Sequence, residues 1–195
     1  MGKLTLILGG ARSGKSSLAE QMAGESAGSV AYIATAQALD EEMQARIEMH
    51  REKRPEDWRT FEIQRDIGMN WREVKFEAQT IILDCLTLLV TNLVMAASPD
   101  ADHPDETSAT KVVEDETDLL LALIRESEAH WILVSNEVGL GLVPPYPVGR
   151  LYRDLLGFTN QRIASQADEV YWMLAGIAVP IHQFRKSNLP GPYGR

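Results

Sequence analysis

Residues 9–16 read GGARSGKS, and Gly9, Gly10, Ala11, Arg12, Ser13, Gly14, Lys15 and Ser16 match all eight positions of a Gly-x-x-x-x-Gly-Lys-Ser pattern. Each residue type there has a chemical reason. Glycines let the backbone turn tightly, so that successive N–H groups point at phosphate oxygens. Lys15 brings a cation to the β- and γ-phosphates, and the Ser16 hydroxyl is a ligand for Mg²⁺. A helix starting at this point aims its positive end at the same phosphates. A chance glycine-rich turn needs no particular surroundings, whereas a phosphate-binding P-loop needs a strand before it and a helix after it. Both are in place here: KLTLIL, Lys3 to Leu8, is an apolar run of strand length, and Ser16 to Glu25 has Leu18, Ala19 and Met22 at helical spacing.

Two further groups could share that chemistry. Asp84 ends the apolar run TIILD, Thr80 to Asp84, where P-loop proteins hold Mg²⁺ or its water shell. A carboxylate in that place can instead cap the helix that follows. Arg46, His50 and Arg54 lie four residues apart, so a helix through them gathers all three on one stripe, with Lys53 beside it. Such a stripe can grip a triphosphate, and a neutral imidazole within it can attack phosphorus. Neighbouring cations push the imidazole pKa down and favour that neutral form. The same spacing also suits a solvated charged face. His103, His130 and His182 have no neighbours suggesting catalysis.

The elements that would position these groups alternate along the chain. Val30 to Ala34 reads as a second strand, and Asp40 opens a helix that runs to about Arg54, where Pro55 stops it. Trp58 to Ile63 reads as extended, Asp66 to Phe76 as helical, Thr80 to Asp84 as a strand, and a helix follows to Ala97. Ser98 to Ser108 is acidic, holds two prolines and reads as a solvated loop. Lys111 to Ser127 places Val112, Leu119, Leu120, Leu123 and Ile124 on one helix face. Trp131 to Ser135 reads as a strand, Asn136 to Gly149 as a Gly/Pro-rich loop, Arg150 to Ala167 as a helix and Val170 to Leu174 as a strand. The pattern predicts a single α/β domain over residues 1–185 with a mostly parallel sheet, and a mobile tail over 186–195. The loop Asn136 to Gly149 suits either a lid or a plain structural connection.

The bulk composition agrees. The chain has 195 residues, 45% hydrophobic and 24% charged, which is room for one well-buried domain. A net charge of −9 disfavours a nucleic-acid backbone or an anionic membrane as main partner. One cysteine, Cys85, excludes an internal disulfide and fits a reducing cytoplasm. The apolar run from Cys85 to Met95 is broken by Thr87, Thr91 and Asn92 and falls short of a membrane span.

Taken together, several segments resemble one family, the bifunctional adenosylcobinamide kinase / adenosylcobinamide-phosphate guanylyltransferases of cobalamin biosynthesis. They are GGARSGKS, the YIAT of Tyr32 to Thr35 and the acidic run Asp40 to Met43, then the R-I-x-x-H of Arg46, Ile47 and His50. Arg54-Pro55 and Trp58 to Thr60 follow, then CLTLLVTNL from Cys85 to Leu93 and NEVGLGLVP from Asn136 to Pro144. Asn160 to Arg162 and Ala167 to Val170 complete the set. The similarity runs from about Lys3 to Ile181, and the histidine pattern with NEVGLGLVP is far more selective than the P-loop.

The resemblance implies a P-loop NTPase-type, RecA-like fold and two reactions. A nucleoside triphosphate, ATP or GTP, phosphorylates the aminopropanol hydroxyl of adenosylcobinamide. GTP then donates GMP to that phosphate through a covalent guanylyl-histidine, giving adenosylcobinamide-GDP and pyrophosphate. The position that matches the nucleophile is His50. Nucleotide contacts carried over by position are Gly9 to Ser16, Ala34, Thr35, Ala36, Arg51, Glu52, Lys53, Arg54, Glu62 and Asp84, with Ser16 and Asp84 as Mg²⁺ ligands. A homotrimer is implied as well. Some relatives carry a second histidine where this chain has Met49, and the tail after Ile181 departs from the family pattern. Two other readings are a P-loop small-molecule kinase without nucleotidyl transfer and a non-catalytic nucleotide switch. Neither needs a histidine in the cationic stripe.

Overall fold

A computed structural model of the chain describes residues 2–37, 41–52 and 54–185, with the side chains of residues 42, 43, 46, 47, 50 and 52 outside that description. The expected tail at 186–195 lies outside it too.

The described strands are β1 (Leu4–Gly9), β2 (Val30–Ala34), β3 (Arg59–Glu62), β4 (Thr80–Asp84), β5 (His130–Asn136), β6 (Glu169–Leu174) and β7 (Ile177–Pro180). They form one sheet in the order β3-β2-β4-β5-β1-β6-β7. All neighbours pair in parallel except β6 and β7, which run antiparallel. The helices are α1 (Lys15–Glu25), α2 (Glu41–Glu52), α3 (Ile67–Glu73), α4 (Leu86–Ala97), α5 (Glu106–Glu126) and α6 (Pro147–Gln166).

The strands are apolar on both faces because both faces are covered. Ile7, Tyr32, Ile82, Ile132 and Val134 pack with Ala19 and Ala23 of α1. Residues one step along the same strands, Leu6, Leu8, Ile33, Leu83 and Leu133, pack on the other side with α4, α5 and α6. α4 (LTLLVTNLVMAA) is apolar nearly all round because it is wedged between the sheet and α5 and α6. No described helix is long and apolar enough to cross a membrane.

Four local readings change. α5 starts at Glu106, five residues before the expected Lys111, because Asp105 caps it: its Oδ1 accepts the Ser108 N–H at 3.0 Å. α6 starts at Pro147 rather than Arg150, using a proline whose missing N–H costs nothing in a first turn. α2 is described to Glu52, and Arg54 lies in a bend rather than in the helix, since a residue before proline is pushed out of the helical region. β7 is an unexpected strand. The turn into it is Ala175-Gly176 with φ of 50° and 80°, and the alanine hid a two-residue hairpin normally signalled by Asn-Gly or Asp-Gly.

Candidate functional site

β1 lies between β5 and β6, so its C-terminal end is held from both sides: Gly9 pairs with Asn136 and with Met173. A Cβ on Gly9 would come within 2.6 Å of the Met173 carbonyl oxygen, which is why the strand can end there only in glycine. The loop then turns through left-handed Arg12 (φ 57°) and Gly14 (φ 95°), and Gly14 caps α1. Lys15 is buried to 8% exposure, and its Nζ donates to the Gly10 carbonyl at 2.6 Å.

In front of this turn opens a pocket of about 370 Å³. Ala11, Arg12, Ser13, Gly14, Lys15, Ser16 and Ser17 line one side, and Asp84, Cys85, Val134 and Asn136 the other. Ser13 Oγ is buried with no hydrogen-bond partner among the described residues, a donor fitting a phosphate oxygen. The structure therefore brings Ala11 to Ser16 and Asp84, expected from sequence, to one cavity. Asp84 reaches it because β4 ends level with Val134 of β5, which leads into Asn136 beside Gly9.

Asp84 does not cap α4 with its side chain, since the N-cap residue is Cys85. Its Oδ2 accepts the Tyr32 hydroxyl at 2.6 Å. Burial, then the charge of Asp84, hold the Tyr32 phenol far above its ordinary pKa, so the hydroxyl remains a donor. Burial and Asp84 also push the Cys85 thiol up to about 11, which makes it a poor nucleophile at neutral pH. On the far side of Tyr32 lies Arg54, its guanidinium carbon 3.5 Å from the ring centroid and its Nη1 donating to Thr60 Oγ1 at 3.1 Å. Arg54 is thus turned inward onto β2 rather than carried on a helical stripe.

The other expected residues are distributed as follows. Ala34 ends β2, and Thr35 and Ala36 form the neck after it. The buried Thr35 hydroxyl accepts the Cys85 N–H and donates to the Cys85 carbonyl, both at 2.8 Å. Glu62 is exposed at the end of β3, opposite Ala34. Arg51 is exposed on α2. Lys53 and the side chains of Arg46, His50 and Glu52 lie outside the described residues.

Asn92, Asn136 and Asn160, which stand in the family-like segments but were assigned no place in the site, fix the rim. Asn92 Nδ2 donates to the Thr35 and Gln64 carbonyls at 2.9 and 3.0 Å, tying the ends of β2 and β3 together. Asn160, 4% exposed, accepts from Ser135 Oγ at 2.7 Å and donates to the Asn136 carbonyl at 3.0 Å, while the Asn136 N–H donates to Thr87 Oγ1 at 2.8 Å. For Asn92 the available signal was a polar residue inside the otherwise apolar α4.

Among the described residues no group of three or more His, Cys, Asp or Glu could hold a metal ion. The two residues expected to hold Mg²⁺, Ser16 and Asp84, both line the pocket and carry side-chain oxygens. That set fits a hard cation that completes its shell with phosphate oxygens and water.

A parallel sheet with a glycine-rich turn leading into a helix N-terminus, and a carboxylate across the cavity, defines a P-loop nucleotide-binding protein. The model of the cobinamide kinase / cobinamide phosphate guanyltransferase family matches residues 5–181. The chain belongs to this family, and it is a kinase and a guanylyltransferase of cobalamin biosynthesis. It is 42% identical over 180 residues to the bifunctional adenosylcobalamin biosynthesis protein CobU of Salmonella typhimurium strain LT2, covering 91% of this chain and 99% of that protein. The Escherichia coli K12 protein of the same name is 42% identical over 188 residues, covering 91% and 99%. Bifunctional adenosylcobalamin biosynthesis protein CobP of Pseudomonas aeruginosa is 42% identical over 176 residues, covering 90% and 95%.

Proposed function

We propose that one triphosphate site serves both reactions, with Lys15, Ser16 and Asp84 at the phosphates and His50 as the covalent nucleophile. The observation that carries this reading is the convergence of Lys15, Ser16 and Asp84 on one pocket in a chain whose family match spans His50. In the kinase step the hydroxyl of adenosylcobinamide attacks the γ-phosphorus of ATP or GTP, and the nucleoside diphosphate leaves. Such transfer needs positioning and charge neutralisation more than acid–base chemistry. The loop N–H groups and Lys15 hold the triphosphate, and burial of Lys15 keeps its charge undiluted by water. Mg²⁺, held by Ser16 and Asp84, would neutralise charge on the phosphate oxygens.

In the second step a neutral His50 nitrogen attacks the α-phosphorus of GTP, forming an N–P bond as the α–β oxygen bond breaks and pyrophosphate departs. A phosphate oxygen of adenosylcobinamide phosphate then attacks the same phosphorus and releases the imidazole. Splitting the transfer into two displacements is what a nucleophilic side chain contributes. Arg51, Glu52, Lys53 and Arg54 on the guanylyl side, with Ala34 to Ala36 and Glu62 at the end of the sheet, complete the nucleotide contacts in this reading.

The test is incubation with α-labelled GTP and Mg²⁺, followed by denaturing electrophoresis. Label is expected on the protein, lost in acid and stable in alkali, as a phosphoramidate requires, and removed by adenosylcobinamide phosphate. His50→Ala is expected to take up no label while keeping GTP affinity within about threefold, because the cradle supplies most of that binding. A His50→Ala protein that still labels, or still makes adenosylcobinamide-GDP at the parent rate, removes His50 from the mechanism.

A further inference from the structure

Tyr32 is 2% exposed, on the sheet face covered by α1. It sits opposite Ile82 in the β2–β4 ladder, and Ala34 sits opposite Asp84, so Tyr32 and Asp84 are diagonal neighbours on one face. A phenylalanine would fill the same apolar space, so packing does not account for the phenol. Among the described residues its hydroxyl makes one hydrogen bond, donated to Asp84 Oδ2 at 2.6 Å and of the short charge-assisted kind. That bond sets the carboxylate rotamer and leaves the other oxygen for the pocket that Asp84 lines with Lys15 and Ser16.

The ring has a second use. Arg54 stacks on it at 3.5 Å, just beyond the end of α2, the helix that carries His50. With Nη1 on Thr60, Arg54 still has a buried Nε that no described residue accepts from. A guanidinium fixed on an aromatic plate with a donor to spare is prepared for an anionic oxygen.

We propose that Tyr32 is a positioning residue shared by the two chemistries, its hydroxyl orienting Asp84 toward the cation and its ring seating Arg54 for the nucleotide's phosphates. The hydroxyl half rests on the reading of Asp84 as a cation ligand. Outer partners that orient a ligating carboxylate typically contribute tenfold or more to metal affinity. The two halves are separable, because Tyr32→Phe removes the hydroxyl and keeps the plate.

The experiment measures Mn²⁺ affinity by electron paramagnetic resonance on protein saturated with guanosine 5′-(β,γ-imido)triphosphate, and affinity for that analogue in EDTA by calorimetry. Tyr32→Phe is expected to weaken Mn²⁺ binding about tenfold, with metal-free affinity for the analogue near that of the parent. Arg54→Met is expected to do the reverse, weakening metal-free affinity and sparing Mn²⁺. Tyr32→Leu should show both losses. If Asp84→Asn loses Mn²⁺ affinity and Tyr32→Phe stays within twofold of the parent, Tyr32 does not position Asp84 and the proposal is overturned. If neither variant changes Mn²⁺ affinity, the cation role of Asp84 itself falls. Unchanged metal-free affinity in Arg54→Met overturns the part of the proposal that concerns the ring, whether or not Tyr32→Leu folds.

Discussion

The phosphate cradle and the helix that carries His50 stand on different foundations. The cradle grows out of β1, a fully buried strand with hydrogen-bonded neighbours on both sides, and leads into α1, which packs Ala19 and Ala23 against the sheet. Its geometry is set by backbone: glycine at a close approach, a left-handed turn and a helix N-terminus. Every residue of α2 whose side chain is described (Glu41, Gln44, Ala45, Glu48, Met49 and Arg51) is exposed. Behind α2, Arg54 is fastened to Tyr32 and Thr60. Phosphate binding, common to many proteins, is thus built into the core of the sheet. Guanylyl transfer, which the proposed function places at His50, would rest on α2, whose chain returns to the sheet at a cation–aromatic contact. Changes in the cradle should damage both reactions together, whereas changes along α2 should separate them.

The sharpest way to break this contrast is Lys15→Ala. Loss of the cation in the cradle is expected to lower both activities by on the order of 10²–10³-fold, the scale seen when one preorganised electrostatic contact to transferring oxygens is removed. Calorimetry should show weaker GTP binding at the same time. If kinase activity fell and guanylyl transfer did not, the two reactions would not share one triphosphate site.

Asn92→Ala probes the seam where the two regions meet. Asn92 clamps the carbonyls of Thr35 and Gln64, so its loss frees the ends of β2 and β3 and leaves two part-buried acceptors without their donor. A stability loss of about 1–3 kcal/mol is expected in denaturant unfolding. KM for GTP should rise more than kcat falls, because in the proposed function the neck supplies nucleotide contacts rather than reacting groups. An unchanged KM would show that Ala34 to Ala36 do not touch the nucleotide.

The smallest effect on chemistry is expected from Glu116, a scaffold residue in α5. It is 4% exposed, and its Oε1 accepts the Ile67 N–H at 2.7 Å where α3 begins. Burial raises its pKa, the Ile67 N–H bond opposes the rise, and the charge of Asp66 adds to it. A carboxyl raised in the folded chain stabilises most below the unfolded value of about 4.3, and that contribution is lost as pH rises through the folded value. Glu116→Gln stays neutral, so its Tm relative to the parent should climb between about pH 4 and pH 7 while both activities remain at the parent level. A parallel pair of Tm curves would mean Glu116 titrates normally in the folded chain.

Much of this molecule is legible in its sequence. The strand–GGARSGKS–helix passage and the carboxylate closing TIILD are local patterns, and local patterns survive because phosphate binding by backbone N–H groups demands particular residues in sequence order. The alternation of apolar runs with amphipathic segments likewise foretold a mostly parallel, two-faced sheet, since a strand covered on both sides must be apolar throughout. Boundaries were less legible where a single residue decides them, as Asp105 does for α5, Pro147 for α6 and Ala175-Gly176 for the β6–β7 turn.

What the linear chain could not display are meetings between residues far apart in it. Nothing in YIAT says that its tyrosine lies across from residue 84, because that depends on β2 and β4 becoming neighbours with Ala34 opposite Asp84. Nothing in the spacing of Arg46, His50 and Arg54 says that the third of them leaves the helix and turns onto a tyrosine ring. Asn92 in α4 reaching the neck of β2, and Asn160 in α6 holding the end of β5, belong to the same kind. The sequence by itself determined which chemical groups were available and the period of the elements bearing them, since both follow from residue type and local backbone preference. Only the tertiary structure decided which carboxylate oxygen is already spoken for and which arginine is seated where, because those depend on strand order and register, which pair residues without regard to their distance along the chain.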